Sequence, residues 1–282
     1  MHNRSIRHNK FNLPSMRKLW KIMGGYDALV EYNECAVRQF INKWTEHEKE
    51  ARQDFSDFIK EQSGAVGINL NSFNVDEYRQ DILRWYLVHP YGCIDSFVKD
   101  FKEDLKTFGF EINLDFKDKN ILEKLIEGMK EARISITVEN YKLDLDKYYR
   151  RCRNILAHKL DESEAEKIKK LYENLRRKEI LEFYPSLKNA LSAPCELTFD
   201  DFTLCTANLK NITDTLTTDV FACIDWTKFK IDDPKFIAKL KKFSQKPERI
   251  EKAIDIYIRS NYGITTDNNI LGILKEKLGL NE

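Results

Sequence analysis

A chain of 282 residues, 42 % hydrophobic and 12 % aromatic, carries enough apolar material for one large or two modest domains, which excludes a disordered polypeptide. Lys and Arg exceed Asp and Glu by one, so the molecule as a whole exerts no strong pull on a nucleic-acid backbone or an acidic membrane, and any such pull must be local. Six cysteines without a C-x-x-C pair read as reduced thiols of a cytoplasmic protein, and without an apolar signal region or a run of about 18 apolar residues the chain is expected to be neither exported nor membrane-embedded.

With a third of its residues charged and only ten glycines and six prolines, the composition favours long helices and predicts an all-α fold. Pro14 and Ser15 open the first helical pattern. Its apolar residues recur at three- and four-residue steps through Leu19, Ile22, Met23, Tyr26, Leu29 and Val30, then Val37, Phe40, Ile41 and Trp44, and on through Phe55, Phe58 and Ile59. Gly24-Gly25 marks a kink or break, and the glycine-rich Ser63 to Gly67 ends an N-terminal helical segment, residues 1–70, whose aromatic stripes read as core or dimer contact. A second block starts near Val75, is interrupted at His89-Pro90-Tyr91-Gly92, and resumes from Ile94 to Phe108 before Gly109. A helix over Ile121 to Met129 precedes the β-branched Ile134 to Val138, which reads as a short extended segment.

From about Leu143 to Leu160 the residues Leu145, Tyr148, Cys152, Ile155 and Leu156 form a core-facing stripe. Asp161 to Lys178 is predicted as an exposed helix of interspersed charge, and Pro185 to Pro194 as a loop. Thr198 or Asp200 caps a further helix through Phe221, and three short helices near Phe236 to Phe243, Pro247 to Tyr262 and Asn269 to Leu278 form a C-terminal tail, residues 229–282.

The chemistry concentrates in Arg153-Asn154-Ile155-Leu156-Ala157-His158: an arginine, an amide, two apolar residues, a small residue and a histidine. At 100° per residue Asn154 and His158 share one helix face, while Arg153 lies about 140° round from His158. With Cys152 and Ile155 turned to the core, the polar trio flanks a groove in which His158 can move a proton and Arg153 can stabilise charge on phosphate oxygens. Arg150 and Arg151, with Tyr148 and Tyr149 just upstream, supply the cations and aromatic faces that single-stranded RNA contact requires. The competing reading pairs Arg150 and Arg151, as solvated side chains, with Asp144 and Asp146.

This hexapeptide resembles the active-site signature of the HEPN ribonucleases, over residues from about 75 to 228. The resemblance implies an up-and-down helical bundle, residues 71–228, that pairs as a homodimer with two facing motifs in one composite active site. It further implies metal-independent RNA cleavage by the 2′-OH, leaving a 2′,3′-cyclic phosphate and a 5′-OH, with Arg153 and His158 catalytic, Asn154 supporting, and Arg150, Arg151 and Tyr149 on single-stranded or looped RNA. No cofactor or metal is implied. Relatives of this kind act as toxins or anti-phage effectors, with an antitoxin or a defence-system partner. Some toxin members carry a nucleotidylated tyrosine two places after the histidine; here that position is Leu160, which puts such regulation in doubt. The alternatives are a catalytically silent HEPN-like domain that binds nucleotide or RNA or scaffolds a defence complex, and a helical scaffold in which the motif is coincidence. P-loop, dinucleotide and zincin signatures are absent, and Asp200-Asp201 and Asp232-Asp233 read as helix-start carboxylates rather than metal ligands.

Overall fold

The computed structural model of the chain describes residues 10–50, 54–70, 75–157, 162–194, 196–243 and 246–280. The described residues form eleven helices and no strand: α1 (Pro14–Glu50), α2 (Phe55–Ala65), α3 (Val75–Thr107), α4 (Ile121–Glu131), α5 (Asn140–Ala157), α6 (Glu162–Asn174), α7 (Arg177–Phe183), α8 (Phe199–Ala222), α9 (Pro234–Lys241), α10 (Pro247–Tyr262) and α11 (Asn268–Lys277). The fold is all-α, as the composition predicts. Local chemistry sets many of the ends. Asp54, Asn120, Asp233 and Asp267 each accept first-turn N–H groups at the starts of α2, α4, α9 and α11, a cap worth about 1 kcal/mol. At the start of α8, Asp201 accepts both the N–H and the hydroxyl of Thr198 (2.8 and 2.9 Å). Helix α10 stops at Gly263, where φ is +77° and an added Cβ would lie 2.5 Å from the Lys10 carbonyl oxygen.

Four local expectations are corrected. Gly24-Gly25 does not break α1; buried Leu19, Met23 and Val30 flank the pair, and their burial offsets the roughly 1 kcal/mol that each helical glycine costs. His89-Pro90-Tyr91-Gly92 does not interrupt α3, which carries Pro90 in its interior. Proline removes the N–H that would bond the Tyr86 carbonyl, and that carbonyl instead accepts the Tyr26 hydroxyl at 3.2 Å. Ile134 to Val138 is no strand but an irregular connection, in which Thr137 donates its N–H and hydroxyl to the Asp219 carboxylate (2.9 and 2.6 Å). The segment expected as one charged helix from Asp161 is divided into α6 and α7 by Leu175-Arg176.

By compactness the chain forms two units, each drawn from separated stretches. The first takes Met1–Lys21, Gly92–Val138 and Lys210–Glu282. Phe108 lies at the centre of its aromatic cluster, with ring centroids 5.7 Å from Phe11, 5.1 Å from Phe229 and 5.2 Å from Tyr262. Backbone bonds from Asn12 to Tyr262 and from Lys230 to Thr107 (2.8 and 2.7 Å) tie its distant stretches together. The second unit takes Ile22–Tyr91 and Glu139–Leu209 and contains α5, which packs on α6 and α7. There the buried carboxylate of Asp201 also accepts the Tyr149 hydroxyl (2.8 Å) and the N–H groups of Leu191 and Ser192 (2.9 and 3.2 Å). Five donors in all satisfy a charge that would otherwise be costly to bury, and they hold the 185–194 loop against α5 and α8.

Candidate active site on helix α5

Helix α5 forms because Leu145, Tyr148, Tyr149 and Cys152 fall at three- and four-residue steps, and all four are fully buried. The stripe agrees with the sequence at Leu145, Tyr148 and Cys152. The side chains of Ile155 and Leu156, and His158 with Leu160, lie outside the described residues. Two polar residues are buried on the same helix. Lys142 pairs with Glu139 at 2.8 Å and sits 4.4 Å from the centre of the Phe183 ring. Asp146 is 3 % exposed, and its backbone carbonyl accepts the hydroxyl of Tyr91 at 3.0 Å.

Tyr91 is the point on which the arginines of the motif region converge. It is 1 % exposed, and the guanidinium of Arg150 lies 4.5 Å from its ring centroid, that of Arg153 at 5.4 Å. Arg150 and Arg153 are three residues apart on α5, close enough for both to reach one aromatic ring, and each gains cation–π attraction there. Burial first, then Cys205 and Asp146, pushes the Tyr91 hydroxyl well above the usual phenol range, so it stays a neutral donor. Arg150 also lies 3.7 Å from the Asp146 carboxylate, within ion-pair range but beyond a hydrogen bond. Its pairing with Asp146 at i,i+4 matches the competing sequence reading, but the pair is not solvated: the two side chains are 15 % and 3 % exposed.

Arg153 has no ion pair among the described residues, and its Nε is buried without a hydrogen-bond acceptor there. The Nε and Nη2 of Arg150 are in the same state. A guanidinium that is desolvated, braced by an aromatic ring and short of acceptors attracts an anionic oxygen strongly, because a charge-assisted bond in a partly dry site is stronger than one in water. Asn154 follows on the helix, half-buried. The structure therefore brings Arg150 and Arg153 together on Tyr91, with Arg151 half-buried on the same helix.

Tyr149 must be reassigned. Its ring is fully buried and its hydroxyl is committed to Asp201, so no face is open for a base to stack upon. Burial and the neighbouring Asp201 carboxylate hold that phenol well above its usual range. By sequence alone Tyr91 is not a candidate, because Pro90 beside it reads as a helix break. A signal was present: Leu83, Leu87, Tyr91, Ile94, Val98, Phe101 and Leu105 keep the three- and four-residue spacing straight through the proline, and all are buried.

Cys35, Cys93, Cys152, Cys205 and Cys223 are free thiols. Among the described residues no cluster of three or more His, Cys, Asp or Glu is arranged to hold a metal ion, and no helix is long and apolar enough to cross a membrane. Comparison with protein-family models, with curated proteins and with solved structures found no match to this chain.

Proposed function

We propose that the chain is a metal-independent endoribonuclease of the HEPN type, acting in the cytoplasm as a toxin or anti-phage effector. The observation that carries this reading is Arg153: a guanidinium inside the resembling hexapeptide, desolvated at Nε, braced on Tyr91 and without a carboxylate partner among the described residues. In the reaction, a histidine takes the proton of the RNA 2′-OH, the 2′ oxygen bonds to phosphorus, and the bond from phosphorus to the 5′ oxygen breaks as that oxygen gains a proton. Arg153 stabilises the charge that grows on the non-bridging oxygens. One His158 can serve as base and a second, from another copy, as acid, which is the reason for proposing a homodimer. The exposure of Leu29 (61 %), Tyr32 (75 %) and Trp85 (61 %) supports pairing, since such apolar area is what a second copy would cover.

The test is to express the wild type and the Arg153→Ala and His158→Ala variants, and to compare toxicity and RNA cleavage by the purified proteins in excess EDTA. Wild type is expected to be toxic, dimeric in sedimentation and active with chelator, leaving cyclic phosphate ends; both variants should lose cutting while melting close to wild type. Cleavage that needs Mg²⁺ or Mn²⁺, or a folded His158→Ala protein that still cuts, overturns the proposal.

A further inference from the structure

Helices α9 and α10, both in the first unit, flank an open groove of about 480 Å³. Phe236, Lys239 and Phe243 line it from one side, at steps of three and four. Arg249, Lys252 and Tyr257 line it from the other. In a chain whose positive and negative residues balance to within one, every charged side chain lining this groove is a cation. None of Lys239, Arg249 and Lys252 makes an ion pair among the described residues. Two of the acidic residues of α10 are engaged elsewhere: Glu251 pairs with Lys275 of α11 at 2.8 Å, and Asp255 accepts the N–H and hydroxyl of Thr266 (2.9 and 3.0 Å).

Helix electrostatics account for only part of this. Lys239 lies in the last turn of α9, where a cation complements the dipole. Arg249 lies in the first turn of α10 beside Glu248, where a cation gains nothing from the helix dipole, so its place in the groove lining is not explained by helix electrostatics. Beside the cations stands a stacked aromatic pair, Phe236 and Tyr257, with ring centroids 4.2 Å apart and planes at 19°. Cations for phosphates next to aromatic faces for bases is the chemistry by which single-stranded nucleic acid is held without reading its sequence. An acidic peptide would satisfy the cations but leave the aromatic faces without their matching partner.

We propose that the α9–α10 groove binds a single-stranded RNA segment, with phosphates on Lys239, Arg249 and Lys252 and a base against the Phe236–Tyr257 pair. The inference stands apart from cleavage by α5, since a binding groove is defined by its own residues.

The experiment uses the full chain and a fluorescent single-stranded 2′-O-methyl RNA oligonucleotide, which lacks the nucleophile needed for cleavage, and reads binding by anisotropy across a salt series. Lys239→Glu/Arg249→Glu/Lys252→Glu should weaken binding at least about tenfold and flatten the salt slope by about 2, as three lost phosphate contacts require. Lys235→Glu/Lys241→Glu/Lys242→Glu makes the same change in net charge at exposed positions outside the groove lining and should leave affinity within about threefold of wild type. Because the 2′-O-methyl probe cannot be cut, this binding measurement and the cleavage assay can fail independently of each other. Should the triple groove variant unfold, Arg249→Glu and Lys252→Glu tested singly carry the measurement, each expected to weaken binding several-fold. No binding by wild type, equal loss in both triple variants, or a groove that captures a poly-glutamate peptide but not the RNA would overturn the proposal.

Discussion

Tyr91 separates what a side chain does by its ring from what it does by its hydroxyl. The ring supports Arg150 and Arg153, and the hydroxyl satisfies the carbonyl of Asp146. Tyr91→Phe keeps the ring and removes a second bond to a carbonyl that still accepts its helical N–H within α5, so it should cost about 0.5–1.5 kcal/mol of stability. Under the ribonuclease reading it should leave cutting near wild type. Tyr91→Leu removes the platform, and a guanidinium displaced by about 1 Å should lower kcat by about 10- to 100-fold, while the protein still folds at reduced temperature. Melting curves and cleavage rates for both variants decide the matter: equal rates would mean that Tyr91 is core alone. Tyr149 marks the limit of residue-type reasoning. One position before Arg150, its aromatic identity suited RNA stacking equally well, but a rotation of about 100° along the helix turns it into the core.

Among the elements, α3 makes the most specific demand. Pro90 sits inside a helix because the Tyr86 carbonyl has found a donor in Tyr26 of α1, so the two residues form one solution and should be energetically coupled. On the wild-type background Tyr26→Phe should cost about 1–3 kcal/mol by orphaning that carbonyl. With Pro90→Ala the restored N–H can bond Tyr86, and the same hydroxyl removal should cost about 1 kcal/mol less. Denaturant unfolding of the four proteins measures the coupling. Strict additivity would show that the Tyr26 bond contributes nothing to keeping the helix continuous. The helix starts posed no such problem: Asn120 with Glu123 three residues on, and Asp233 before Pro234, are legible because a cap acts on its own first turn.

For the molecule as a whole, Asp104 ties stability to pH. Its carboxylate accepts the Ser15 N–H at 2.8 Å, yet burial raises it above the usual range, desolvation outweighing the help of Ser15 and Arg17. The folded state therefore holds this proton more tightly than the unfolded chain, where the value is about 3.9. Its contribution is fully present below that value and is lost as pH rises through the folded one. Asp104→Asn keeps an acceptor for Ser15 and removes the charge. The melting difference, variant minus wild type, should thus rise from near zero below about pH 4 to a positive plateau at neutral pH. A difference that falls with pH would mean that the ionised carboxylate stabilises the fold.

All-helical character, apolar stripes and capped ends were legible from residue order because each depends on neighbours within a turn or two: the spacing of Leu145, Tyr148 and Cys152 and the side chain at the start of α9 are local facts. The Tyr26 bond that accommodates Pro90 within α3, the seat of Arg150 and Arg153 on Tyr91, and the five donors gathered on Asp201 were not. Each requires groups far apart in the chain to meet in a water-poor interior, and there the need to satisfy buried polar atoms outweighs the preference of any single residue.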